Sequence, residues 1–204
     1  MVFIIGVSGK LGTGKNYITT NVILPVLEKL QKKYLEIAFA DQIKVNVMTK
    51  NGINYSDVYE NKTHESRQLL QKEGTEVGRE SNPNIWIDYL DNWIKVYCNR
   101  GINTFITSDV RFLNEFEYIK NQCNGIMIKI IAPKRNEKRL LQESDGSTII
   151  YEKISTHRSE CDLDNLTDDT YDLVINNDNS ICIIKLMEKF ENILLKKKVK
   201  DLFF

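Results

Sequence analysis

The apolar run "VFIIGV" leads directly into "SGKLGTGKN", and this junction constrains the chain more than any other stretch. Four apolar residues bounded by glycine read as a short buried strand over residues 2–7. Gly9, four residues, then Gly14 and Lys15 follow the spacing of a phosphate-binding loop. In such a loop, glycines let backbone N–H groups approach phosphate oxygens. The following helix N-terminus adds positive potential, and the lysine reaches the outer phosphates. Asn16 stands where Ser or Thr normally holds magnesium. Its amide oxygen is a weaker ligand than a carboxylate but can accept a bond from water in the ion's shell.

Beyond the loop, Ile18, Val22, Ile23, Val26, Leu27 and Leu30 form one apolar stripe at helical spacing, in which Pro25 is expected to produce a kink. "YLEIAFA", 34–40, reads as a second strand, with Asp41 capping a helix through "QIKVNVM". Residues 51–62 are turn-rich and read as a loop, whereas the text from Glu65 to about Arg79 is helical. Another helix opens at "SNPN", where Ser81 or Asn82 can cap and Pro83 suits the first turn. Its stripe, Trp86, Leu90, Trp93 and Tyr97, reads mainly as core.

Strands follow at 103–109, at "GIMIKIIA" ending before Pro133, and at 171–176. A helix from about Leu113 to Gln122 and a closing amphipathic helix from 180 to 198 accompany them. Residues 134–165 are charged and poorly periodic, as functional lids or disordered segments are. Alternation of strands and helices implies a parallel sheet with ligands at the strands' carboxyl ends.

Composition narrows the function. Lys plus Arg equals Asp plus Glu at 28 each, so no basic stripe of a nucleic-acid binder is expected. An anionic ligand would need a local concentration of cations. The four cysteines lie far apart without a CxxC pair, which suits a reduced, cytoplasmic protein. The start "MVFIIGV" lacks a basic leader, and no run approaches bilayer length. A homodimer is compatible with the sequence, which shows neither a coiled coil nor an evident apolar patch.

Three further constellations carry chemistry. In "SDVRFLNE", Asp109 at a strand end can position magnesium waters or bond a substrate. Arg111 can bind phosphate bidentately, and Glu115 lies one helical turn beyond. "ESRQLLQKEGTEVGRE" offers Arg67, Gln71, Gly74, Thr75 and Arg79. The segment after Pro133 carries Lys134, Arg135, Lys138 and Arg139, cations able to close over a transferring phosphoryl group and exclude water. His157 in "STHRSE" reads as structural.

The ordered segments "GKLGTGKN", "FADQIK", "RQLLQKEGTEVGR" leading to Trp86, "DVRFLNE", "HRSE" and "DLVINNDNS" span nearly the whole chain. Together they resemble the deoxynucleoside monophosphate kinases of bacteriophages and large DNA viruses, within the adenylate-kinase-like group. The resemblance implies that Gly9, Gly12, Thr13, Gly14, Asn16, Tyr17 and Ile18 hold ATP, with Lys15 stabilising the transferring group. It places Lys44, Arg67, Gly74, Thr75, Arg79, Trp86, Asp109, Arg111 and Glu115 at the acceptor. Asn177 to Ser180 would lie near the adenine, Arg135 and Arg139 would assist catalysis, and Mg2+ would sit near Asn16 and Asp109 through water. His157 and Glu160 receive no role.

The implied fold is α/β: a three-layer P-loop arrangement with a five-stranded parallel sheet flanked by helices. The core is 1–50, 100–133 and 166–204, the helical acceptor region about 51–99, and the lid about 134–165. The implied reaction phosphorylates a deoxynucleoside 5′-monophosphate from ATP, with dGMP and dTMP the first acceptors to try. Neither a nucleic-acid polymer nor a membrane is an implied partner. Kinases of the phosphomevalonate or dephospho-coenzyme A type, and a non-catalytic nucleotide-binding switch, are the alternatives.

Overall fold

A computed structural model describes residues 2–61, 63–178 and 180–201. Five parallel strands form one sheet in the order β2-β3-β1-β4-β5. They are β1 (Phe3–Ser8), β2 (Tyr34–Glu36), β3 (Thr104–Val110), β4 (Ile126–Ile131) and β5 (Leu173–Asn176). Both faces are covered, which is why "FIIGV" shows no polar alternation. Ile5 and Val7 face one layer, with Val22, Ile23, Val26 and Leu27 of the first helical segment and Phe190 and Leu194 of the last. Ile4, Phe105 and Met127 face the other, under Ile87, Leu90, Ile94, Phe116 and Ile119. The result is the three-layer α/β architecture the sequence implied.

The first helical segment runs as α1 (Lys15–Ile18), a π turn (Thr19–Ile23) and α2 (Leu24–Lys29). Pro25 has no N–H for the carbonyl four residues back, and the widened turn immediately before it accommodates that loss. After β2 come α3 (Ala40–Asn51), α4 (Tyr55–Tyr59), α5 (His64–Gln71), a π turn (Lys72–Val77), α6 (Gly78–Ser81) and α7 (Ile85–Cys98). β3 leads to α8 (Leu113–Glu117), continued by a π turn (Tyr118–Gln122). β4 leads to α9 (Pro133–Ser144), α10 (Thr148–Ser155) and α11 (Arg158–Cys161), and α12 (Ile183–Asp201) closes the fold.

Several local expectations give way. β2 ends at Glu36 rather than 40. The chain turns away because Asp109 of β3 accepts bonds from the Phe39 and Ala40 N–H groups at 3.2 and 2.9 Å, fixing the start of α3. Asp41 lies inside that first turn and reaches back to the Ala38 N–H (3.0 Å) instead of standing at the cap. The expected loop at 51–62 contains α4, where Tyr55 and Tyr59 stack with ring centroids 4.4 Å apart and Val58 is fully buried. Pro83 precedes α7, whose cap position is Asn84.

On α7 the buried stripe is Trp86, Ile87, Leu90 and Ile94, and Trp93 is 51% exposed. Trp93 and Ile94 are adjacent, and only the docked orientation of the helix chooses between them. Residues 134–165 are largely helical. Among α9 residues only Leu140 and Ser144 are buried, so no apolar stripe announced that helix.

Phe190, with none of its surface exposed, ties α12 to the sheet. Phe190→Ala is expected to lower unfolding free energy by about 3–5 kcal/mol. Urea denaturation followed by circular dichroism measures it, and a change below about 1 kcal/mol would place Phe190 outside the packed core.

Candidate functional site: a phosphate loop facing a cationic cleft

The loop after β1 is shaped by two glycines and held from below. Gly12 and Gly14 have φ of 75° and 89°, which side-chain-bearing residues rarely adopt. A Cβ on Gly12 would lie 2.6 Å from Cβ of Arg139, and one on Gly14 would strike the Asn177 amide. That amide, just past β5 and nearly fully buried, donates to the Thr13 carbonyl at 2.8 Å. Asn177 therefore anchors the loop; its side chain is not free to meet a base. Asn179, within the segment expected near adenine, lies outside the described residues.

Lys15 bends over the loop and donates to the carbonyls of Gly9 (2.6 Å) and Lys10 (3.0 Å). Burial, then the nearby Arg111 charge, lowers its pKa from 10.5 to about 7, against the opposing influence of Glu160 and Asp109. Thr13 is buried and donates to the Lys10 carbonyl at 2.9 Å. Tyr17 is exposed, while Ile18 is core, its N–H engaged with Gly14 O at 3.0 Å.

Beside the loop opens a cleft of about 530 Å³. Lys15, Asn16, Lys44, Arg67, Gly74, Thr75, Arg79, Asp109, Arg111 and Glu115 all line it, although they come from segments scattered along the chain. Each cation has a counter-charge or a carbonyl partner. Lys44 pairs with Asp41 at 3.1 Å and lies 4.1 Å above the Tyr59 ring. Glu143 of α9 bridges Arg67 at 3.0 Å and Arg139 at 2.5 Å. Glu160 of α11 pairs with Arg111.

Arg79 stacks on Phe112 (3.8 Å), donates to Pro83 O (3.0 Å) and pairs with buried Glu115. The Glu115 carboxylate also accepts from the Arg111 and Phe112 N–H groups at 2.7 and 3.1 Å. Burial pushes the Glu115 carboxyl up, to about 7, against the lowering exerted by Arg79 and those two donors.

Asp109 and Trp86 hold shape. Asp109 spends both oxygens on the start of α3 and accepts from Thr107 at 2.7 Å. Trp86 is 1% exposed and donates from Nε1 to Gly74 O at 2.8 Å, supporting the π turn that forms one cleft wall. It has no face left for a base. Arg135 and Arg139 lie on α9 above Gly14 and Gly12, outside the cleft lining.

Sequence reasoning passed over several contributors. Asn136 donates to Leu11 O (2.7 Å), and Asp178 accepts from the Lys134 and Arg135 N–H groups (2.9 and 3.1 Å), capping α9 from the β5 loop. "NNDN" after a strand was a usable signal for Asp178; nothing marked Asn136 or Glu143. His157, read from the sequence as structural, caps α11, its Nδ1 accepting from the Ser159 N–H at 3.2 Å. Tyr59 lines the cleft from a stretch that reads as loop.

No protein-family model matches this sequence, and no curated protein sequence matches it. Among solved structures, the TT1252 protein of Thermus thermophilus shares the fold. The identity is 14%, the TM-score 0.50, and 96% of this chain and 97% of that chain are covered. Two other similar structures are kinases. A Janibacter sugar kinase has 16% identity and TM-score 0.48, covering 95% of each chain. A shikimate kinase from Acinetobacter baumannii has 15% identity and TM-score 0.47, covering 97% of this chain and 96% of its own. Among the described residues no helix is long and apolar enough to cross a membrane, and none of the four cysteines is in a disulfide.

The lowered Lys15 pKa has a measurable sign. Between about 7 and 10.5 the unfolded chain retains the lysine proton and the folded chain does not. Stability must therefore rise with pH through that window, whereas below about 7 the folded state bears the full cost of the buried charge. The stability of the intact protein relative to Lys15→Met is expected to grow between pH 7 and 9. A flat or falling difference in denaturation midpoints would contradict the burial of the amine.

Proposed function

We propose that the chain is a P-loop phosphotransferase that moves the terminal phosphoryl group of ATP to a deoxynucleoside 5′-monophosphate. The observation that carries this reading is the convergence of Lys15, Lys44, Arg67, Arg79 and Arg111 on one cleft adjoining the phosphate loop. Cations gathered around one small volume call for a multiply charged anion. On one side of Lys15 lies a loop suited to the donor phosphates. On the other, Arg67 and Arg111 face a space large enough for a monophosphate ester.

In this reading Lys15 leaves its loop carbonyls and follows the phosphoryl group as charge spreads over its oxygens. Phosphoryl transfer requires chiefly positioning and charge stabilisation of this kind. Arg111 fixes the acceptor phosphate, and Arg67 approaches from α5. Arg135 and Arg139 already stand over the loop on α9, where they help to exclude water. Tyr59 and Phe112 also line the cleft, Tyr59 stacked on Tyr55 beneath Lys44 and Phe112 buried beneath Arg79, so their rings shape the acceptor space.

The residues near the loop fit a magnesium ion held mainly by substrate phosphates and water. Asn16 Oδ1 and Ser108 Oγ lie 3.4 Å apart at the exposed mouth, two neutral oxygens able to bond an ion's hydration shell. Asp109, one residue on, adds negative charge while its oxygens remain on α3. Among the described residues no group of three or more His, Cys, Asp or Glu forms a metal cage, which suits Mg2+ arriving with the nucleotide. When bound, the ion would neutralise donor phosphate charge.

The test is direct. The protein is incubated with ATP, magnesium and a panel of acceptors: the deoxynucleoside and ribonucleoside monophosphates, phosphomevalonate and dephospho-coenzyme A. Deoxynucleoside diphosphates are the expected product, with dGMP and dTMP tried first. Transfer only to another acceptor would retain the phosphotransferase and replace its substrate. ATP binding without transfer would identify a switch. Lys15→Ala is expected to lower turnover by at least about two orders of magnitude. Arg111→Ala should weaken acceptor use by about 2–4 kcal/mol with little change in ATP binding, read from acceptor kcat/KM and ATP Kd.

A further inference from the structure

The lid segment places a carboxylate on the phosphate-binding machinery. Glu160 belongs to α11, and its side chain is 8% exposed. One oxygen accepts from the Leu11 N–H of the phosphate loop at 2.8 Å. The other pairs with the Arg111 guanidinium, which also donates to Ser159 O at 3.3 Å. A loop N–H and a guanidinium are the donors that a phosphoryl oxygen takes at such a site. Arg111, Ser159 and Glu160 also form part of the wall of two cavities at once. One is the cationic cleft. The other, about 390 Å³, is lined by Ser8, Gly9, Lys10 and Thr13 on the loop side. The ion pair stands at the boundary between them.

We propose that Glu160 is a built-in counter-ion of the empty phosphate site. Its carboxylate occupies the place of a phosphoryl group on Leu11 N–H and Arg111, and an incoming phosphate must displace it by moving α11. The inference rests on the phosphate-loop reading given above. A carboxylate and a phosphate cannot share the same two donors, and at such separations their like charges repel strongly where water is excluded.

Two polar fastenings of α11 and the turn after it are exchangeable, while Leu163 in that turn packs against the apolar layer under the sheet. Lys10 pairs with Asp164 at 2.8 Å, but both side chains are more than two-fifths exposed, so this pair contributes little free energy. Asp162 accepts from the Leu113 N–H at 2.8 Å, also at the surface. Glu143 performs a parallel service two helices earlier, on α9, neutralising Arg67 and Arg139. The lid thus brings two acids onto three arginines, and substrate phosphates are the species that would replace them.

The consequence is an affinity held below its intrinsic value, because binding must first pay for displacement. Inorganic tripolyphosphate is the probe, titrated calorimetrically into the full chain, Glu160→Gln and Glu160→Asp. Gln keeps the length and an acceptor oxygen but no charge, and Asp keeps the charge. Glu160→Gln is expected to bind about tenfold tighter or better, with Glu160→Asp remaining within a few-fold of the parent protein. A residue serving only to hold the fold would give weaker binding on substitution.

If the parent protein binds tripolyphosphate and Glu160→Gln binds equally or more weakly, the counter-ion role is overturned while the phosphate loop stands. If neither binds, both fall together. Should Glu160→Gln fail to fold, amide hydrogen exchange on the parent protein decides. Tripolyphosphate is expected to slow exchange at Leu11 and accelerate it over residues 158–164. Slowing at both would overturn the displacement.

Discussion

Cations cannot be gathered in a closed cleft without counter-charge, and much of this site is organised around that requirement. Arg79 is almost wholly buried and is tolerable only because Glu115 receives it and Phe112 offers its ring face. Glu115 in turn binds the Arg111 and Phe112 N–H groups, setting the backbone where β3 gives way to α8. One buried pair therefore joins the helical region after α5 to the central sheet and orients the segment that carries Arg111. Breaking a buried pair by removing one partner leaves an uncompensated charge, which costs far more than an exposed pair returns.

The phosphate loop obeys a different constraint, that of space. Gly12 must admit the stem of Arg139, and Gly14 must admit the Asn177 amide. The loop thereby touches both helix α9 and the strand end of β5. Asn136 on Leu11 O and Asp178 on the first N–H groups of α9 complete a ring of polar contacts around it. Preorganisation of this kind matters for phosphoryl transfer, where the protein supplies geometry and charge. In the proposed transfer, Lys15, resting on loop carbonyls with a pKa lowered to about 7, would regain full positive charge once anionic phosphate replaced those weaker partners.

Two aromatic residues illustrate how far local pattern reaches. Trp86 sits on the segment that, by resemblance, meets an acceptor, yet it lies beneath the π turn with its N–H on Gly74. It shapes the cleft without entering it. Tyr59, in a stretch of polar and turn-forming residues, enters the cleft because α4 folds back on α3 and brings the ring under Lys44. Neither fact is encoded in spacing along the chain; each follows from how short helices pack against one another.

Apolar runs bounded by glycine, alternating with helical stripes, suffice to specify parallel strands buried on both faces, and hence ligands at their carboxyl ends. The spacing Gly9, Gly14, Lys15 specifies a phosphate loop, because backbone conformation and N–H direction there depend on local residue type. The sequence alone determined that much. Tertiary structure decided which charges neutralise one another. Arg67 meets Glu143 and Arg111 meets Glu160 across dozens of residues, and electrostatic energy depends on separation in space, which no linear pattern records. It also decided that Ile94 rather than Trp93 faces the core, since an isolated stripe leaves a helix's rotation undetermined until a sheet is present to bury it.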